Sequence, residues 1–211
     1  MTIKGIDISH WNTVKNFDSV KESGIEFAII KAGGSDAGFY TDRQFDNYYR
    51  LAKLSGLKVG AYYFAGSKFY GSEAGEEDAK RFCRILNGKR FEYPVYVDIE
   101  ITSPGSQKAK EATDAAIAFC RYMEQMGYFA GIYASDISGF KERLELERLD
   151  PFCKWVARYG GKKPSYVKEF GIWQKTSTGE VPGIVGKVDL DISYIDYAKI
   201  ITSQGFNGYG R

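Results

Sequence analysis

Only one histidine, His10, occurs in the 211 residues. The three cysteines, Cys83, Cys120 and Cys153, are widely spaced and form no CxxC pair. A zinc site therefore lacks a ligand set, and neither metal nor cofactor is expected. A Cys–His nucleophile pair would need one of those thiols to meet His10 by coincidence. Cys83 and Cys120 fall within apolar-periodic helical stretches and read as buried free thiols. His10 reads as a surface or turn residue.

Charge of one sign is also lacking. The 29 basic and 27 acidic residues leave a net charge of +2, with no Lys/Arg run. A nucleic-acid partner would lack its electrostatic footprint. No run of 18 apolar residues exists, so no membrane span is expected. The opening MTIKGIDISHW meets Asp7 and has no apolar core of the Sec-leader kind. A soluble monomer is expected, held in the cytoplasm until release or exported by another route. Ala32-Gly-Gly-Ser35 lacks both the GK[ST] of a phosphate loop and dinucleotide-fold spacing.

Aromatics, by contrast, reach 16%, with sixteen tyrosines. That excess suits carbohydrate, because ring faces stack on sugar C–H surfaces while hydroxyls stay wet. Short apolar runs alternate with helical periodicity, the pattern of βα units on a mainly parallel sheet. Strands are expected at 3–8, 25–31, 57–65, 94–100, 128–134, 153–158, 170–174 and 187–191. Helices are expected at 14–23, 43–55, 73–86, 108–126 and 137–146, with Gly24, Gly56, Gly88 and Gly127 after the first four. Eight strands and about five helices predict an α/β fold, a flattened TIM-like (β/α) barrel that loses helices in its last third. The barrel is expected over 1–200, with 201–211 a frayed end or truncated linker.

The chemistry concentrates in Pro94-Val-Tyr-Val-Asp-Ile-Glu100. Strand alternation sets Val95, Val97 and Ile99 on one face, Tyr96, Asp98 and Glu100 on the other. In a barrel the second set points inward at the C-terminal mouth, where active sites of such barrels form. Residues i and i+2 stand roughly 6.5–7 Å apart at the backbone. Either a retaining or an inverting carboxyl separation is then within reach. Close like charges drive their pKa values apart, leaving one acid protonated and one ionised. A D-x-E pair alone reads more readily as a strand end with solvated or salt-bridged acids. Asp7, ending the first strand, and Asp189 with Asp191, on one face of the last, change that. If first and last strands close the barrel, Asp7 and Asp189 meet across the mouth from Asp98 and Glu100.

Seven ordered segments carry a family resemblance: GIDISHW (5–11), FAIIKAGG (27–34), VGAYYFA (59–65), PVYVDIE (94–100), GIYAS (131–135), KWVARY (154–159) and IWQKTSTGEVPGIVGKVDLD (172–191). Together they resemble glycoside hydrolase family 25, the lysozymes of phages, bacteria and some fungi. The resemblance implies a flattened eight-stranded barrel that hydrolyses the β-1,4 bond between N-acetylmuramic acid and N-acetylglucosamine, with retention of configuration. It implies peptidoglycan glycan strands as partner and the bacterial wall as place of action, as for an endolysin. By position, Glu100 resembles the proton donor. Asp98 resembles its partner, acting either on the substrate's acetamido group or on water. Asp7 and Asp189 resemble supporting acids. Tyr62, Tyr133, Trp155, Tyr159, Trp173 and Gln174 match positions near the groove, and Lys31 and Asp191 join them as inward-pointing strand residues. Asp191 stands where the family often has Asn, and Tyr63 where it often has His.

Two rivals differ in kind. A chitinase-like barrel also ends a strand in D-x-E, but its pattern wants a further acid where Tyr96 stands. A non-catalytic glycan-binding barrel would be signalled by loss of Asp98 or Glu100, and both are present.

Overall fold

The computed structural model describes residues 2–210. Eight strands form its barrel: β1 (Ile3–Ile8), β2 (Phe27–Gly34), β3 (Lys58–Phe64), β4 (Val95–Asp98), β5 (Ala130–Ser135), β6 (Cys153–Ala157), β7 (Ile172–Gly179) and β8 (Val188–Ser193). From β1 to β7 each strand pairs in parallel with the next, and β8 runs antiparallel between β7 and β1, closing the ring. The sheet is thus mixed. A parallel return from β7 to β8 would need a crossover of a dozen or more residues. The link between Gly179 and Val188 is shorter, and part of it, Ile184–Val185, pairs with Thr13–Val14.

Alternation divides two cores. Ile6, Ile8, Ala28, Ile30, Val59, Ala61, Tyr63, Val95, Val97 and Ile99 face outward into the layer beneath the helices. The inward set is Phe27, Ile29, Tyr93, Tyr96, Tyr133, Trp155, Ala157 and Ile172. Gly5 makes room for Phe27, since a Cβ there would lie 2.2 Å from the ring.

The helices are α1 (Phe17–Glu22), α2 (Phe45–Leu54), α3 (Gly71–Leu86), α4 (Ser106–Gln125) and α5 (Tyr197–Gln204). Asn16 caps α1, its side chain accepting from the backbone N–H groups of Asp18 and Ser19. Helix α3 buries Ala79, Phe82 and Leu86, a helical-period stripe. Against α4 it comes so close at Gly75 that a Cβ would stand 2.0 Å from the Ala115 carbonyl oxygen. Gly127, which follows the α4 run, takes a φ of 83°.

Two expectations require correction. No α-helix covers 137–146; a π-helical turn, Asp136–Lys141, and a 3-10 turn, Leu146–Leu149, stand there. Asp136 is drawn away from helix capping because its carboxylate accepts from the backbone of Ser165, Tyr166 and Val167. Nor are residues 203–210 frayed. Asn207 is fully buried, donating to the Tyr93 carbonyl at 2.9 Å and accepting from the Phe129 N–H at 2.7 Å. With Tyr197 and Ile201 of α5, it closes the floor of the barrel. Among the described residues no helix is long and apolar enough to cross a membrane.

Candidate active site

At the opposite end from α5, the strand register brings the acids together. Asp7 pairs with Asp189, Phe64 with Asp98, and Asp98 with Tyr133. Because β8 is antiparallel, its first inward residue, Asp189, lies at the mouth, and Asp191 lies one layer deeper. Register shifts in β2 after Lys31 and in β8 around Leu190 bend the rim at this end. A cavity of about 310 Å³ opens there, lined by Asp7, Lys31, Asp98, Glu100 and Asp189 among others.

Most of the expected residues meet in this cavity. Tyr62, Tyr133, Trp155, Tyr159 and Gln174 line it with the acids and Lys31. Two do not. Trp173 points to the other face of β7, where its indole N–H donates to the Arg158 carbonyl at 2.8 Å. Asp191 is 1% exposed and receives the Trp155 indole N–H at 2.8 Å, beneath the cavity. Trp173 fails because alternation separates it from Gln174; Asp191 fails because the last strand is reversed.

Gln174 organises the floor. Its oxygen accepts from the hydroxyls of Tyr133 and Tyr159, each at 2.7 Å, and its amide donates to Asp7 at 2.7 Å. Burial, then the charges of Asp191 and Asp189, raise Asp7 well above the carboxylate range. One oxygen of Asp191 is enclosed with no hydrogen-bond partner. A proton held by Asp7 toward Asp191 satisfies both groups.

Asp98 is 3% exposed, and one of its oxygens, Oδ1, is enclosed with no donor. Burial, and secondarily the charge of Glu100, raise it well above the ordinary range, while Lys31 opposes the rise. Glu100 stands just past β4 at the rim and reaches solvent. The protein around its carboxyl still raises it, with Lys31 and then Tyr133 pulling the other way. Asp189 is pushed up to about 6, by burial first and Glu100 second. The Lys31 ammonium lies 4.2 Å from the centroid of Phe64, the cation facing this acidic set. Among the described residues no three His, Cys, Asp or Glu side chains are grouped to hold a metal ion.

Sequence reasoning missed Trp11. It lines the cavity and is 80% exposed, its ring 4.5 Å from that of His10. His10 itself is tied to Asp42, Nδ1 to Oδ2, at 2.6 Å. The available signal was position: Trp11 follows Asp7 by one turn of loop. Ser9, Asp36 and Phe64 also line the cavity without having been anticipated.

The family model for glycosyl hydrolases family 25 matches residues 6–184. The chain belongs to this family. It is 30% identical over 189 residues to the autolytic lysozyme of Clostridium acetobutylicum, an alignment covering 90% of this chain and 55% of that protein. The chain thus spans about half the length of that relative. Its fold superposes on the CTP1L endolysin with a TM-score of 0.80 at 26% identity, covering 95% of this chain and 70% of the other. The bacterial lysozyme from Streptomyces coelicolor gives a TM-score of 0.74 at 25% identity, covering 99% of this chain and 98% of the other. The family's flattened α/β barrel is the fold described above.

Proposed function

We propose that this chain hydrolyses the β-1,4 bond between N-acetylmuramic acid and N-acetylglucosamine in the glycan strands of bacterial peptidoglycan, with Glu100 as proton donor. Family membership and the name of the clostridial relative support the reaction class. The observation that carries the mechanism is the donorless, enclosed Oδ1 of Asp98 in the cavity that Glu100 also lines.

In the free protein, burial favours a proton on Asp98. An N-acetyl group seated in the cavity offers its amide N–H to Oδ1, which favours the ionised carboxylate. The proton of the pair then belongs to Glu100, the acid nearer the rim. As the C1–O bond breaks, Glu100 passes that proton to the leaving oxygen. The acetamido carbonyl oxygen, oriented through its N–H by Asp98, attacks the anomeric carbon. Water, deprotonated by Glu100, then opens the cyclic intermediate at the same carbon, with net retention. Asp7 and Asp189 bind hydroxyls or water and bias the pair, and Trp11 offers a sugar-stacking face.

Glu100→Gln should retain the fold and lower reducing-end release from purified peptidoglycan by roughly 10²–10⁴-fold. Near-normal release by that variant would overturn the assignment. Chitin cleaved as readily as peptidoglycan would instead favour the chitinase-like rival.

A further inference from the structure

Glu100 has a second side. Beyond it opens another cavity, about 390 Å³, that shares Glu100, Tyr133 and Tyr159 with the first. The two are halves of one groove with Glu100 at the waist. Their charges differ. The first half holds five carboxylates, Asp7, Asp36, Asp98, Glu100 and Asp189, against Lys31. The second adds Asp136, Arg143 and Arg158.

Within that second half Asp136 is fully engaged. It is 1% exposed, pairs with Arg158 at 2.6 Å and holds three backbone N–H groups. Arg143 has no carboxylate within ion-pair distance among the described residues. Its Nη1 donates to the Ser138 carbonyl, inside the π-helical turn. Its Nε is enclosed without an acceptor, and its Nη2 makes no hydrogen bond among the described residues. With Nε enclosed, Nη2 is the donor left without an acceptor, on a side chain that lines the cavity, and a carboxylate there would take one charge-assisted bond from it.

We propose that the cavity beyond Glu100 is an anion subsite in which Arg143 takes a carboxylate of the substrate on the leaving-group side of the cut bond. This rests on the muramidase reading. If the acetamido sugar lies over Asp98 and Glu100 protonates the leaving oxygen, the glycan past the cut runs into this half. Muramic acid carries its carboxyl on the lactyl ether, free in bare glycan and amide-linked where a stem peptide continues with its own carboxylates. The sugar directly past the cut is N-acetylglucosamine, so the carboxylate offered to Arg143 belongs to the muramic acid one sugar further on, or to its stem, and either source supplies the same chemistry.

The test compares three soluble glycan substrates: bare strands with free lactyl carboxylates, the same strands with those groups converted to methylamides, and strands bearing stem peptides. Wild type should cleave a carboxylate-bearing strand with kcat/KM roughly tenfold above the methylamide, a preference that fades as salt rises. Arg143→Gln should lose that preference, cleaving the carboxylate-bearing strand and the methylamide at rates within about twofold of each other. Arg143→Lys, which keeps the charge and can still reach Ser138, should retain part of it. A preference for bare strands assigns the lactyl carboxylate; one confined to peptide-bearing strands assigns the stem. Equal rates on all three by wild type, or a preference undiminished in Arg143→Gln, would overturn the subsite. So would an equal loss on every substrate, which marks Arg143 as acting through the π-helical turn or through the charge it sets beside Glu100. Failure of wild type to cleave any strand would instead overturn the muramidase reading.

Discussion

The two ends of the barrel interior are built from the same strands by the same alternation, and they hold opposite contents. Tyr96 and Asp98 are successive inward residues of β4; the first lies in the aromatic core, the second in the acidic cavity. The floor is covered by α5 and Asn207, so its inward positions carry Phe27 and Tyr93, packed against Tyr197 and Ile201 of α5. The mouth has no such cover, and its inward positions carry carboxylates whose ionisation burial opposes. Apolar packing fills the floor, and carboxylates line the mouth.

Variants at the two ends should therefore part company. Glu100→Gln is expected to show the largest effect on rate, with the melting temperature held. Tyr197→Ala is its counterpart. Removing that fully buried ring should cost about 3–5 kcal/mol in denaturant unfolding, while the folded fraction keeps its specific activity. A loss of specific activity larger than the loss of folded protein would show that floor and mouth are coupled.

Asn207→Ala comes next, at about 1–3 kcal/mol, because it strands the Tyr93 carbonyl and the Phe129 N–H. Activity at room temperature should persist.

Acid dependence sharpens the contrast at the mouth. A folded-state pKa of about 6 for Asp189, against an ordinary 3.8, means that the folded state binds the proton more tightly. Its favourable contribution is present below pH 3.8 and is lost as pH rises through about 6. Asp189→Asn should flatten the fall in melting temperature across that window, whereas Asn207→Ala should leave its shape unchanged.

The smallest effect belongs to Trp11→Ala. An exposed ring that only stacks on sugar should raise KM a few-fold, leaving kcat and melting temperature near wild type.

Much of this was legible in residues. Val95, Val97 and Ile99 against Tyr96 and Asp98 is a period-two pattern, and the strand obeys it. The meeting of Asp7 with Asp189 followed from closure alone. Trp173 was misjudged although the same rule, applied from Gln174, would have turned it outward. Helix 137–146 was misjudged because its local pattern carries no sign that Asp136 is claimed by backbone about 30 residues away.

What the sequence determined by itself was whatever depends on neighbours along the chain: the strands and their faces, the helix stops, and the family motifs with their acids. The tertiary structure decided what depends on partners distant in sequence. It set the reversed direction of β8, and so which of Asp189 and Asp191 reaches the cavity. It docked Asn207 beneath the barrel, and it left Arg143 without an ion-pair partner beside Glu100. Alternation is a property of one strand, but direction, burial and unmet hydrogen bonds arise only when strands and loops meet.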